Sequence, residues 1–142
     1  MEKCSKREKK NFTILDNEVL RDKTISFKAK GLLCVIMGFP EKWEFTVKGI
    51  VAISPEGETS VRSTIKELKK AGYCDSNNHY ENGKIKYLEY YFSDSKEDVI
   101  NKRKEWEKAK EEKIKLHQGN LDLENLNEEN LNEENQVQLN MY

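Results

Sequence analysis

The sequence predicts a mainly α-helical fold with one small antiparallel β-hairpin. Residues 46–72 read as two helices joined by a turn that contains Pro55 and Gly57. Residues 73–92 then alternate like two strands on either side of Asn82-Gly83. Asn-Gly is the preferred pair for a type I′ hairpin turn, because both of its residues need a positive φ. The order helix, turn, helix, hairpin is typical of a winged helix-turn-helix domain.

The first 25 residues predict little regular structure. Residues 1–11 carry five Lys and Arg without apolar periodicity, which indicates a mobile basic arm. Residues 12–15 alternate like a short strand that would add a third strand beside the later hairpin. Asp16 or Asn17 can then cap a brief helix.

The run between Ser26 and Pro40 predicts a helix over residues 27–39. Ser26 is a suitable N-cap, and Pro40 ends the helix because proline has no backbone N–H to donate. Apolar residues point nearly all round this helix, which indicates an element in the middle of the core. They are Leu32, Leu33, Val35, Ile36, Met37 and Phe39.

The helix that follows Gly57 has two different faces. Val61, Ile65 and Leu68 recur at i, i+4 and i+7, which places them on one apolar stripe. The opposite arc is polar and mostly basic, with Glu67 as an acidic exception. It holds Thr59, Ser63, Lys66 and Lys70, with Arg62 and Lys69 on its flank. A helix of this kind can enter the DNA major groove, although a solvated face of an ordinary helical domain has the same pattern.

The hairpin offers a second set of candidate DNA contacts. Lys84 and Lys86 follow its turn and can reach phosphates, whereas polar groups before the turn can reach minor-groove edges. The residues before the turn are Asn77, Asn78, His79 and Tyr80. The alternative is a solvated hairpin whose outer face is polar.

Residues 93–118 read as one charged surface helix, and Ser95 with Asp98 resembles a capping box at its start. An apolar stripe along this helix is thin, so packing on the domain and formation of a homodimer both stay open. The stripe consists of Val99, Trp106 and Ile114. Residues 119–142 repeat Asn, Leu and Glu with a period of five, which lines no face of a helix or strand and predicts a disordered acidic tail.

Composition narrows the class of protein. Residues 1–92 hold 17 Lys and Arg against 13 Asp and Glu, whereas residues 119–142 hold six acidic and no basic residues. A mildly basic body is compatible with nucleic-acid binding. The three cysteines are too few and too widely spaced to predict a disulfide framework or a zinc site.

Two further expectations follow from what the sequence lacks. It contains no apolar run of membrane-spanning length and no signal peptide, so we expect a cytoplasmic protein without a membrane partner. It contains no nucleophile with an adjacent base and no phosphate-binding loop, so we expect no enzymatic activity and no cofactor.

Four stretches of residues 12–92 resemble a known family. They are NEVLRDK at 17–23, KAKGLL at 28–33, WEF at 43–45 and the run 61–73 that ends in Gly-Tyr. These stretches are similar to the N-terminal winged-helix domain of replisome organisers and DnaD-like replication initiators of phages and plasmids of Gram-positive bacteria.

The resemblance implies that the second helix and the hairpin contact duplex DNA. Glu58 departs from the family, whose members often have a basic residue there. A carboxylate at this position repels phosphate and predicts weaker affinity, but it could also accept a hydrogen bond from a cytosine amine or favour the helix N-terminus. The helix residues implied as contacts are Glu58, Thr59, Ser60, Arg62, Ser63 and Lys66. In such proteins a repetitive linker precedes a domain that contacts the helicase-loading machinery, so a replicative helicase or its loader is an implied partner.

The leading hypothesis is therefore a double-stranded DNA-binding protein of mobile-element replication initiation, with residues 12–92 as the DNA-binding domain. Two alternatives keep the fold: a helix-turn-helix transcriptional regulator and a module for binding another protein. The candidate DNA contacts are Thr59, Ser60, Arg62, Ser63, Lys66, Lys69, Lys70, Lys84 and Lys86.

Overall fold

The computed structural model describes residues 2–5 and 11–140, with side chains as far as residue 120. The elements are α1 (Asn17–Leu20), α2 (Phe27–Met37), α3 (Val47–Ala52), α4 (Glu58–Ala71), β1 (Cys74–Glu81), β2 (Lys84–Phe92) and α5 (Lys96–Asn140). The chain divides into two compact units, Met1–Arg103 and Lys104–Tyr142. The prediction of a mainly helical chain with a two-stranded antiparallel hairpin is confirmed.

Short polar side chains begin the first three helices. Asp16, Ser26 and Thr46 each accept a hydrogen bond from a backbone N–H two or three residues later, at 2.8–3.1 Å. The first turn of a helix has no internal partners for these N–H groups, so each cap satisfies one of them. The predicted cap at Ser26 is confirmed, and of the two candidates for the first helix Asp16 is the cap.

Helix α4 is the central element of the first unit and packs against α2, α3 and β1. Val61, Ile65 and Leu68 are at most 5% exposed, as the predicted apolar stripe requires. The helix ends at Gly72, which has a φ of 96°. There the N–H of Tyr73 donates to the carbonyl of Leu68 at 3.0 Å, which closes the last turn.

A polar cluster links the loop after α1 to Tyr73, at the end of α4, and to Lys96, at the start of α5. The Tyr73 hydroxyl donates to Asp22 Oδ2 at 2.6 Å, and the Thr24 N–H and hydroxyl donate to Asp22 Oδ1. Hydrogen bonds from Thr24 and Tyr73 hold the pKa of Asp22 well below its usual range. Lys96 Nζ, in the first turn of α5, lies 3.4 Å from Asp22 Oδ2.

The hairpin has the predicted turn. Asn82 and Gly83 have φ values of 53° and 75°, as a type I′ turn requires. The strands pair from Cys74 opposite Phe92 to the turn, with one irregularity after His79. At the base of the hairpin, aromatic rings contact one another in succession and join β2 to the segment after α2. They are Phe39, Trp43, Phe45, Tyr90 and Phe92.

The prediction of a third strand at residues 12–15 is wrong. This segment passes the end of α2, where Thr13 Oγ1 would lie 3.3 Å from a Cβ added to Gly38. The N–H of Asp16 then donates to the side chain of Asp94 at 2.6 Å instead of entering a strand ladder. Alternation alone did not specify a partner, and Phe12 and Ile14 are both exposed.

The prediction that α2 lies in the middle of the core is also wrong. Only Ala29 and Leu33 of this helix are buried, while Phe27 is 90% and Val35 is 46% exposed. The helix packs against α4 and β2 on one side. Apolar residues all round a helix therefore indicate a hydrophobic surface on every side. How much of that surface is buried depends on how many neighbouring elements the fold places around the helix.

Helix α5 begins on the hairpin. Arg103 donates to both carboxylate oxygens of Asp75, at 2.6 and 2.8 Å, and this pair lowers the pKa of Asp75. The sequence predicts a capping box in which Asp98 pairs with Ser95. In the structure the carboxylate of Asp98 instead accepts from the hydroxyl of Ser93, at 3.1 Å. Within the stripe predicted along this helix, Val99 is 5% exposed.

The segment boundaries at the two ends of the chain stay predictions. Helix α5 continues past Gly119 to Asn140, beyond the end assigned to the charged helix from the sequence. The tail expected to be disordered in solution, residues 119–142, lies partly outside the described residues, and so does most of the basic arm, residues 1–11.

Candidate nucleic-acid interface

The outer arc of α4 is polar, basic and accessible. Packing of Val61 and Leu68 on the inner side leaves the opposite side of the helix free of contacts with other elements, because the two sides are half a turn apart. Among the described residues, neither Lys66 nor Lys70 forms an ion pair. The exposed residues of this arc are Thr59, Ser63, Lys66 and Lys70.

Arg62 lies on the flank of this arc and is paired. Its Nε and Nη2 donate to Glu58 Oε1 at 3.0 and 2.8 Å. The two residues are one helical turn apart, and their side chains are 57% and 48% exposed. The i, i+4 spacing of Glu58 and Arg62 is the signal in the sequence that points to this pair.

Ser60 is only partly accessible, because it takes part in a bridge between α2 and the turn before α4. Lys28 Nζ donates to Ser60 Oγ and lies 3.6 Å from Glu56 Oε2. The Ser60 hydroxyl in turn donates to Glu56 at 3.0 Å. No spacing in the sequence pointed to Lys28, which is 32 residues away from Ser60.

Glu67, the acidic residue of the polar side, is bound to the start of α2. Its two carboxylate oxygens accept from the N–H and the hydroxyl of Ser26, at 2.7 and 2.8 Å. Lys69 is exposed, and its charge contributes to lowering the pKa of Asp75 at the base of the hairpin.

Only some of the hairpin residues that are predicted to contact DNA are accessible. Lys84 is exposed, whereas Lys86 Nζ pairs with Glu81 at 3.2 Å. His79 stacks on Tyr87 at 4.4 Å and contacts Glu89 at 2.7 Å. Asn78 and Tyr80 are exposed.

Asn77 does not fit the prediction that it contacts DNA. It is 6% exposed, so its side chain faces the protein. It lies opposite Glu89 in the hairpin, on the same face as Asp75, which α5 covers through Arg103. Strand alternation in the sequence could not show which face of the hairpin a helix would cover.

A groove of about 370 Å³ opens between α2 and α3, beside the buried side of α4. Its walls are mostly apolar, and the Lys28–Glu56 bridge lies at its rim. Gly31 also faces it, with no atom within 4 Å of an added Cβ. The apolar lining residues are Leu32, Val35, Ile50, Ile53, Pro55 and Val61.

The described part of the chain holds no cluster of three His, Cys, Asp or Glu side chains able to bind a metal ion. The cysteines are free thiols, and burial raises the pKa of Cys74 to about 12. Among the described helices, none combines the length and the apolar character needed to cross a membrane.

Comparison of the chain with protein-family models, with curated proteins and with solved structures found no match. The resemblance to replication initiators therefore rests on the residue stretches quoted above. It stays a prediction.

Proposed function

We propose that residues 12–92 form a winged helix-turn-helix domain that binds double-stranded DNA, with α4 in the major groove and the hairpin as the wing. The biological role that we propose is replication initiation of a mobile element in the cytoplasm. That role comes from the family resemblance, which also suggests a helicase or its loader as a partner.

One observation carries the DNA-binding proposal. The apolar side of α4 is packed inside the domain, while Lys66 and Lys70 project from the opposite side and have no acidic partner in the described residues. Lysines presented in this way can neutralise phosphates, and each neutralised phosphate releases condensed counterions. Thr59 and Ser63 lie on the same side of α4, in the turns that precede Lys66, and offer hydroxyl groups to base edges.

The test is a titration of fluorescently labelled duplex DNA with the full chain, followed by anisotropy at several salt concentrations. We expect the affinity to fall steeply as salt rises. Replacing Lys66 with Ala is expected to weaken binding to all sequences and to flatten the salt dependence by about one unit on a log–log plot.

Lys42→Ala is the matched control, because Lys42 is an exposed lysine in the loop before α3. Both variants remove one positive charge, so a general charge effect would change the salt dependence of DNA binding equally in the two variants. The proposal requires that only the Lys66 variant changes the slope. An affinity that does not respond to salt would contradict DNA binding by this face.

A second candidate function is binding to another protein, and the groove between α2 and α3 favours it. Ile53 is 58% and Val35 is 46% exposed in the lining of the groove, which leaves apolar surface available to a partner. This function predicts a complex that survives nuclease treatment and depends on Ile53. It also predicts no shift of any DNA probe, which separates it from the first proposal.

A further inference from the structure

Within the part of the chain that the structure describes, the Arg62–Glu58 pair leaves one edge of the guanidinium without a partner. Glu58 Oε1 occupies the edge formed by Nε and Nη2, at 3.0 and 2.8 Å. The terminal edge, formed by Nη1 and the second hydrogen of Nη2, keeps its two parallel donors. The pair is exposed on the first two turns of α4, which is the part of a recognition helix that contacts base edges.

Guanine presents two adjacent acceptors, N7 and O6, in the major groove. A guanidinium edge with two parallel donors matches them, whereas a lysine ammonium group does not have this planar geometry. A side chain held by a neighbouring carboxylate also has fewer orientations to lose on binding. We infer that Arg62, positioned by Glu58, reads a guanine in the DNA site of this protein; this inference rests on the proposed function.

The two kinds of basic residue on α4 then have different tasks. Lys66 and Lys70 form no ion pair within the described part of the chain and supply affinity for phosphates. Arg62 is already paired with a carboxylate, so it adds little net charge and supplies selectivity. Glu58 is then a positioning residue. It lowers the overall affinity for DNA and raises the discrimination between guanine and the other bases.

The test begins with selection of preferred sites from a randomised duplex pool by the full-length protein. We expect one position of the selected site to be guanine, with about tenfold or greater preference over other bases. Arg62→Lys keeps the charge and is expected to lose this preference while keeping the salt dependence. Glu58→Gln removes the negative charge, so it is expected to bind DNA more tightly overall but with weaker guanine preference.

A second measurement addresses the contact itself. Replacing the selected guanine with 7-deazaguanine removes the N7 acceptor. We expect this change to weaken DNA binding by the wild-type protein severalfold and to leave DNA binding by Arg62→Lys unchanged. Circular dichroism of each variant checks the fold, which an exposed ion pair hardly stabilises.

The outcomes separate the inference from the function on which it rests. Salt-dependent DNA binding with an unchanged guanine preference in Arg62→Lys would overturn the inference alone. Salt-dependent binding without any selected guanine would do the same. If the wild-type protein binds no duplex DNA, the proposed function and the inference are both wrong.

Discussion

Individual charged residues of the domain differ in how much of their charge is available to a partner. Arg62, Lys28 and Lys86 each contact a carboxylate, whereas Lys66 and Lys70 do not within the described residues. The count of basic residues therefore overstates the usable charge of the domain as a whole. For the DNA binding that we propose, the local charge of the outer arc of α4 is the relevant quantity.

Asp22 is expected to make stability depend on pH. Its pKa is lower in the folded chain than in the unfolded chain, because Thr24 and Tyr73 donate to its ionised form. The stabilisation is therefore present above the unfolded pKa of about 4 and is lost as pH falls below it. We expect Asp22→Asn to lower the free energy of unfolding by about 1–3 kcal/mol at pH 7.

Urea unfolding of both proteins at a series of pH values measures this effect. The difference between the wild type and Asp22→Asn is expected to shrink steadily from pH 5 downward. A constant difference down to pH 2.5 would mean that the hydrogen bonds at Asp22 do not depend on its charge.

Cys74 is expected to be unreactive in the folded protein. It is 2% exposed, and burial raises the pKa of its thiol to about 12, so the nucleophilic thiolate is scarce at pH 8. Cys4 is exposed and serves as an internal comparison. A thiol-specific reagent should label Cys4 rapidly and Cys74 only on unfolding, as peptide mass spectrometry would show; rapid labelling of Cys74 under native conditions would contradict its burial.

At the scale of elements, two glycines are expected to respond to alanine in opposite directions. Gly31 lies within α2 with open space around it, so Gly31→Ala is expected to stabilise the protein by about 1 kcal/mol. Gly72 has a left-handed φ, so Gly72→Ala is expected to destabilise it by about 1 kcal/mol. Thermal unfolding of both variants tests this pair, and a loss of stability in Gly31→Ala would show that the groove tolerates no added methyl group.

The helix starts and the hairpin turn were predictable because each depends on a few adjacent residues. Ser26, Thr46 and the Asn82-Gly83 pair act through local geometry. The third strand and the burial of α2 were mispredicted because they depend on which distant elements pack together. A strand-like run such as residues 12–15 carries no information about its partner.

In the candidate site, too, the features that depend on adjacent residues were predictable and those that depend on distant elements were not. Helical periodicity was sufficient to place Lys66 and Lys70 opposite the buried stripe. It could not show that Ser60 bonds to Lys28 of another helix, or that α5 covers the face of the hairpin on which Asn77 lies. Exposure along one helix follows from its own sequence, but partners across the fold do not.

At the scale of the molecule, charge is distributed unevenly, and this is expected to affect the rate of association with DNA. The net charge is −1, although residues 119–142 alone hold six acidic residues. Replacing these six acidic residues with Asn or Gln would raise the net charge by six. The residues are Asp122, Glu124, Glu128, Glu129, Glu133 and Glu134.

We expect the amide variant to associate with duplex DNA severalfold faster at low ionic strength, because like-charge repulsion acts over roughly 10 Å at 0.1 M salt. The two proteins should converge near 0.5 M salt, where screening is strong. Stopped-flow fluorescence measures the rates. A difference that persists at high salt would point to a specific role of the tail instead of a general charge effect.

The two attachments of α4 to α2 have a consequence for any encounter with a ligand. Near one end Ser60 and Glu56 are joined to Lys28, and toward the other Glu67 is joined to Ser26. The backbone that carries the outer lysines is thus already ordered before a ligand arrives. Complex formation need not include the entropic cost of folding this helix, so its affinity should be governed by side-chain ordering and ion release.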